Sequence, residues 1–384
     1  MRSLFDNLMW RPGGRYEPNA PAPLIADFFD AAWYRAENPE VAASGLDPWT
    51  HYLDVGARAG LAPGPRLEAP GDATFLAFPR DRVRDRRAFL RQRAGRAAKA
   101  LEIGPAFNPL LPKAEGNNVY TVDNADRDEL RRRYGGFREI DVDRIEQVDF
   151  IWKDADILSA VPRAHWGSFD VVLMCDVLEH IPNPIRLLQS LQKLLKPGGC
   201  ISLAVPDKRQ CFDCLRPLTT TGGWLEALQR GDVRHTARTL FDYKTLAVAR
   251  RGRVTWVERR LEARDATFVG AAPQHAYADY FESPSEDYVD AHAWVFTPSS
   301  FTLIINECHA LGLISIVPER VSLRRGGEFL AHLRLAYRRP INHHERLQLL
   351  LAGAREQAEG FSVSLPAGGR LRSWFRNGLA LLSR

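Results

Sequence analysis

The stretch KALEIGPAFNPLLPKAEGNNVYTVD, residues 99–123, decides the fold. Its opening, Lys99 to Ile103, is a short β-like run that feeds Gly104. A second run, Val119 to Val122, ends in Asp123, nineteen residues after that glycine. A strand feeding a tight turn at glycine lets the backbone approach a ligand closely, and an acid closing the next strand is placed to accept two hydrogen bonds from ribose hydroxyls. The dinucleotide pattern G-x-G-x-x-G is absent, because Ala106 and Asn108 stand where further glycines would. No diphosphate cradle is evident, and the constellation suits a nucleoside without phosphates.

The same grammar continues outward. Further β-like runs lie at Phe150 to Trp152, Val171 to Met174 and Cys200 to Val205. Between the last two, Ile185, Leu187, Leu188, Leu191, Leu194 and Leu195 recur at helical spacing over Pro184 to Leu195, until Lys196-Pro197-Gly198-Gly199 stops the helix. Strands alternating with helices predict an α/β fold with a doubly wound, mostly parallel sheet. Near the end, Phe301 to Leu311 repeats the helical period. Leu313 to Leu323, an Arg324-Arg325-Gly326-Gly327 turn and Glu328 to Leu335 then read as an antiparallel return. Residues 206–292 fit neither grammar. An insertion after the fifth strand lies outside the carboxyl ends of the strands, where such folds bind ligands, and is expected to be a lid.

The composition is that of a globular chain. It has 384 residues, 45% of them hydrophobic and 26% charged, enough for roughly two domains. The 25 prolines and 28 glycines are scattered rather than periodic, which excludes collagen, and no run of about 18 apolar residues exists to span a bilayer. The first residues lack the apolar core of a secretory signal, and five cysteines are too sparse for a secreted disulfide framework, so a cytoplasmic location is expected. The net charge of +5 is concentrated in two places. Arg80 to Lys99 holds nine basic and two acidic residues, expected to be a solvated helix face. Arg370 to Arg384 holds four arginines and no acid.

Further pieces occur in order: Lys153-Asp154-Ala155-Asp156 after the third run, Phe169-Asp170-Val171-Val172 opening the fourth, Cys175-Asp176-Val177-Leu178-Glu179-His180 closing it, and Leu194 to Gly199 before the fifth. With residues 99–123 they resemble the class I S-adenosylmethionine-dependent methyltransferases, in the branch that acts on small molecules and carries a V-L-E-H motif. The resemblance implies a Rossmann-like methyltransferase fold with a seven-stranded sheet and S-adenosyl-L-methionine as cofactor. It implies that Glu102 and Gly104, with Pro105 and Asn108 in the departing turn, lie near the methionine part. Asp123 would bind the ribose, Asp154 and Ala155 the adenine, and Asp176 and Val177 would border the sulfonium. No metal ligation is expected.

Pro206-Asp207-Lys208-Arg209-Gln210-Cys211-Phe212-Asp213 is similar to a segment of bacterial methyltransferases found among cell-surface polysaccharide genes. Its charged residues are expected to reach hydroxyls or a sugar-nucleotide diphosphate, while Cys211 and Cys214 are expected to pack. The N-terminal run, from Phe29-Asp30-Ala31-Ala32-Trp33-Tyr34 to His51-Tyr52-Leu53-Asp54-Val55-Gly56, resembles a small helical module attached to bacterial glycosyltransferases. Two short helices joined at Ser44-Gly45 are expected there, with docking to glycan-assembly enzymes as their role. Three units are therefore expected: residues 1–70, a module and linker closed by Ala62-Pro63-Gly64-Pro65; 71–340, the methyltransferase domain with its lid at about 206–292; and 341–384, a helical tail.

The expected reaction is O-methylation of a sugar of a bacterial surface glycan or its precursor, in polysaccharide biosynthesis. A sugar hydroxyl needs a proton acceptor, and an imidazole with a pKa of about 6.5 serves. His180 is first by position, His275 and His292 flank the lid, and Asp207 is the reserve. The rival reading is a non-catalytic scaffold in glycan assembly that keeps the fold. No nucleic-acid partner is expected. On a helix, Leu371, Trp374, Phe375, Leu379 and Leu382 of the tail gather on one face, so the tail either docks on the protein or makes peripheral contact with the inner face of the membrane.

Overall fold

The computed structural model describes residues 29–56, 61, 64, 82–95, 97–257, 260–282, 289–324, 326–336 and 341–362. Most of the expected linker and the whole tail from Arg370 lie outside the described residues.

Among the described residues, three short helices come first where two were expected: α1 (Ala31–Glu37), α2 (Glu40–Ser44) and α3 (Pro48–His51). Asn38-Pro39 makes the extra break. Asn38 leaves helical geometry and its side-chain amide donates to the Tyr34 carbonyl, satisfying an end that proline cannot extend. Gly45 closes α2 at φ 70°, where a side chain would be strained. Tyr34, Val41 and Tyr52 form a small core of their own with Phe29, Trp33 and Leu61 around it.

The main body opens with β1 (Arg82–Val83), α4 (Arg86–Leu90), β2 (Ala100–Ile103), β3 (Val119–Asp123), α5 (Arg127–Tyr134) and β4 (Phe150–Ile151). It continues with β5 (Phe169–Cys175), α6 (Pro184–Leu194), β6 (Leu195–Pro206), α7 (Thr221–Arg230), α8 (Ala237–Thr245) and α9 (Pro273–Tyr277). It closes with α10 (Pro298–Ala310), β7 (Ile316–Arg324), β8 (Glu328–Leu335) and α11 (His343–Glu359). The sheet runs β1-β7-β8-β6-β5-β2-β3-β4. Strands β2 to β6 pair in parallel, whereas β8 is antiparallel to both β6 and β7. The seven expected strands are all present, and two-residue β1 adds an eighth at the edge.

Alternation within each strand divides the core. Leu101, Ile103, Val172, Met174, Ile201 and Leu203 face α6 and α10 through Leu187, Leu191, Phe301 and Ile304. Ala100, Val171, Leu173, Cys200 and Ala204 face the opposite layer, where Phe89, Leu90, Leu110 and Leu111 cover them. Both faces are buried, which is why these strands read as nearly continuous apolar runs.

The expected lid is partly core. Trp224 of α7 is fully buried in the main cluster, and Asn183, the N-cap of α6, donates to the Ala227 carbonyl. The stretch after α7 lies off the main sheet and packs on residues 210–216 through Val248, Trp256 and Leu261. It holds α8, α9, a hairpin of Val248–Arg250 with Ala266–Phe268, and Leu261–Glu262, which pairs with Phe361–Ser362 beyond α11. Among the described residues no helix is long and apolar enough to cross a membrane.

Because the N-terminal helices keep their own core, removing residues 1–66 should leave a cooperatively folding chain. Its melting temperature should fall within about 4 °C of the full protein, the shift that about 1 kcal/mol would give. Aggregation or a much larger drop in a thermal melt would join the module to the main domain.

Candidate active site at the carboxyl ends of the strands

The turn after β2 is set by contact. Gly104 has φ 65°, and a Cβ there would come 2.9 Å from Val177 Cγ2, so glycine answers both a left-handed backbone and a close approach. Ala106 has φ 40°, a region that costs an L-residue about 1–2 kcal/mol. What holds it is Asp123 at the end of β3: Ala106 N–H donates to Oδ2 (3.3 Å) and Asn124 N–H to Oδ1 (2.8 Å). Burial pushes the Asp123 carboxyl above its ordinary range, against these two backbone bonds.

Glu102 faces the other way, buried, accepting from the amides of Leu110 (2.6 Å) and Leu111 (3.1 Å), which fixes the far arm of the loop. Asn108 accepts from Arg87 of α4 at 3.4 Å. Asp154 and Ala155 are exposed beyond β4, with Asp154 accepting from the Ser159 hydroxyl at 3.0 Å, and the Trp152 amide donates to the Asp123 carbonyl. Gly104, Pro105, Ala106, Asp123 and Val177 therefore come together at one edge, with Asp154 and Ala155 at the next strand end. Glu102 and Asn108 shape the loop from behind.

Beyond β5, Asp176 has φ 54° and lies 3.2 Å from Arg86, whose Nε donates to Glu328 at 3.0 Å. Desolvation at the strand end and then Glu328 raise the Asp176 carboxyl, with Arg86 opposing, while half of the side chain still faces solvent and limits the shift. Arg86 belongs to the basic run expected to be a solvated face. Instead it braces the site.

The next turn brings a histidine pair together. The Glu179 carbonyl accepts from the amides of Ala293 and Trp294, and Trp294 Nε1 donates to the Ile181 carbonyl at 2.7 Å. These bonds join two segments more than a hundred residues apart and set the His180 and His292 rings edge to face at 4.6 Å. His292 Nδ1 meets Asp213 Oδ2 at 2.5 Å, and Arg216 holds both Asp213 (2.8 Å) and the His292 carbonyl (2.9 Å). Burial opposes the Asp213 charge, but His292 and Arg216 outweigh it and keep the carboxyl low. His292 stays below its ordinary range because burial wins there. An ionised Asp213 beside a neutral ring places the proton on Nδ1 and leaves the Nε2 lone pair free. His180 Nδ1 lies 2.8 Å from Asp290; burial resists the His180 charge, yet Asp290 and Glu179 raise its pKa. Glu179 itself is 1% exposed, and burial pushes it up to about 8.

His275 and Asp207 stay apart. His275 is exposed on α9. Asp207 is buried in a pair with Arg209, and Lys208 donates to the Arg216 carbonyl. The groups expected to reach sugar hydroxyls thus find their partners inside the protein. Cys211 and Cys214 are buried thiols. Sequence reasoning missed Asp213, Asp290 and Arg86, whose roles depend on contacts across long separations. Glu179 carried a signal, its place in V-L-E-H, but no assigned role.

Residues 75–257 match the family model described as a methyltransferase domain. Among curated proteins, the ubiquinone biosynthesis O-methyltransferase of Xanthomonas campestris pv. campestris is 38% identical over 58 residues, covering 15% of this chain and 23% of the relative. Lovastatin diketide synthase mokB of Monascus pilosus is 34% identical over 94 residues, 24% of this chain and 3% of the relative. The chain thus spans under a quarter of these relatives' own length. Among solved structures, a SAM-dependent methyltransferase from Aquifex aeolicus is 12% identical, with a TM-score of 0.31 over 63% of this chain and 85% of that one. The sheet order, with β8 inserted antiparallel between β6 and β7, is a Rossmann-like methyltransferase fold.

The left-handed alanine gives a direct test. Ala106→Gly should raise stability to denaturant by at most about 1 kcal/mol, because relief of about 1–2 kcal/mol of strain is offset by the entropy of a more flexible unfolded chain. Ala106→Val should lower it by more than about 1 kcal/mol, and the reverse order would contradict the turn geometry.

Proposed function

We propose that this chain, whose residues 75–257 carry a methyltransferase domain, is an S-adenosylmethionine-dependent methyltransferase acting on a hydroxyl oxygen of a small acceptor. The acceptor class we assign is a sugar of a bacterial surface glycan or its precursor. One observation carries the reading: Asp176 to His180 joins two halves of a site. Val177 abuts the Gly104 turn beside Asp123, and three residues later His180 meets His292.

The residues present fit the cofactor. A buried carboxylate closes β3, the β2 turn is pressed against Val177, and no phosphate cradle exists where a nucleoside needs none. Asp123 would take the ribose hydroxyls, Gly104 and Pro105 would pass the methionine part, and Glu102 and Asn108 would act through the loop they hold. Asp154 and Ala155 would edge the adenine, and Asp176 and Val177 the sulfonium. When bound, S-adenosylmethionine supplies an electrophilic methyl group on sulfur.

The chain's own task is to hold an acceptor oxygen in line with that methyl, about 3 Å away, and to take its proton. His180 accepts the proton in this reading, since Asp290 stabilises its charged form and His292 packs beside it. Similarity to O-methyltransferases supports oxygen as the accepting atom. The glycan class rests on the resemblance of residues 206–213 and of the N-terminal module.

Calorimetry should show S-adenosylmethionine binding that Asp123→Ala weakens by about a hundredfold, the loss expected for two hydrogen bonds to a charged group. With radiolabelled cofactor and extracted glycan precursors, His180→Ala should lower turnover by about a hundredfold or more while keeping cofactor affinity. Absence of wild-type cofactor binding, or equal affinity in Asp123→Ala, would remove the assignment. Transfer to other hydroxylated small molecules but not to glycan precursors would keep the reaction and replace the acceptor class.

A further inference from the structure

Glu179 is the group the methyl-transfer reading leaves unexplained. It is 1% exposed, yet neither of its carboxylate oxygens accepts a hydrogen bond in the structure. A buried carboxyl group whose oxygens find no donor is costly even as the neutral acid, so such groups are ordinarily hydrogen-bonded or bound to a metal. Its Oε1 lies 3.9 Å from His180 Nε2 and 4.0 Å from His292 Nε2, too far for hydrogen bonds. The donor atoms of Glu179, His180 and His292 all fall within 4.8 Å of one another.

The two Glu179 distances stand at the outer end of the range for donors sharing an ion, so a small inward shift of the side chains would accompany binding. Metal bonds to imidazole nitrogen and carboxylate oxygen are about 2.0–2.2 Å, so two donors on one ion stand roughly 3–4 Å apart. The ring orientations agree. His292 turns its Nδ1 to the Asp213 carboxylate, His180 Nδ1 stands 2.8 Å from Asp290 outside hydrogen-bond geometry, and the two Nε2 atoms lie 3.9 and 4.0 Å from Glu179 Oε1. A carboxylate behind a histidine, as Asp213 stands behind His292, fixes the tautomer and raises ligand basicity at metal sites. Charge agrees too: Glu179, Asp213 and Asp290 gather around the pair, with Arg216 bonded to Asp213.

We propose that Glu179, His180 and His292 form a binding site for a divalent first-row transition-metal ion. Two imidazoles and one carboxylate suit ions of the zinc, manganese and iron(II) class better than magnesium, which prefers oxygen ligands. Three protein donors leave positions open. The His180 side chain is 22% exposed and the others are nearly buried, so those positions open on the His180 side. On the methyltransferase reading, on which this last role rests, they receive the acceptor oxygen beside Asp176. With an ion bound, His180 would serve as a ligand in place of the proton acceptor assigned above: the ion would polarise the hydroxyl oxygen and lower its pKa, and the proton would leave to solvent on the exposed His180 side. An acceptor with two neighbouring hydroxyls could fill two positions at once.

The test uses tag-free, full-length protein without S-adenosylmethionine. Titration with Mn2+ followed by electron paramagnetic resonance should show one saturable site per chain, displaced by Zn2+. Spin-echo modulation should show two coordinated imidazole nitrogens. Glu179→Gln and His292→Ala should each weaken Mn2+ binding by roughly a hundredfold or more, and His275→Ala should bind as wild type does. No saturable Mn2+ or Zn2+ binding by folded wild-type protein, or a signal without imidazole nitrogen, would overturn the proposal. So would unchanged affinity in both Glu179→Gln and His292→Ala. Cofactor affinity is measured separately on chelator-treated protein, so failure of the metal site and failure of the methyltransferase reading give different results.

Discussion

The close approach of Gly104 to Val177 is the constraint around which the carboxyl edge is arranged. The chain leaving β2 turns while pressed against the loop leaving β5, which leaves no room for a Cβ at Gly104, and both Gly104 and Ala106 are left-handed. The buried Asp123 carboxylate secures the turn through the Ala106 amide, and Glu102 secures its far arm through Leu110 and Leu111. Both acids thus serve the loop's conformation. Asp123 alone also lies at the open edge where a ribose would meet it.

A second theme is charge that the interior accepts only because it is paired. Arg86 pairs with Glu328, Arg209 neutralises Asp207, and Arg216 holds Asp213 against His292. Breaking such a pair leaves an uncompensated buried charge, which costs more than the intact pair contributes. These pairs fix the strand ends. The exception is Glu179, whose oxygens face two imidazole nitrogens at distances that hydrogen bonding does not explain.

The sheet was legible because both its faces are buried. β2, β3, β5 and β6 read as apolar runs, and the glycine-rich turn announced the β7 to β8 return. Two-residue β1 has no period to read. The third N-terminal helix escaped because Asn38-Pro39 breaks a pattern that apolar spacing alone carries through. The turn and Asp123 were legible from spacing and Val177 from the family resemblance, and the turn does meet both, Val177 at Gly104 and Asp123 at the Ala106 amide. Asp207-Lys208-Arg209 misled for a physical reason: a charged run looks like surface until its members are seen to satisfy one another. Asp213 and Asp290 could not be found from sequence, since nothing local ties either to a histidine.

In the function proposed above, the edge between the β2 turn, Asp123 and the Asp176 to His180 segment forms one site for a nucleoside cofactor. A crystal structure of the protein with S-adenosylhomocysteine tests it most directly. The account predicts ribose hydroxyls on the Asp123 carboxylate, the sulfur beside Asp176 and Val177, and the Gly104 turn in the left-handed geometry described. A ligand bound elsewhere, or one on this edge whose ribose avoids Asp123, would contradict it.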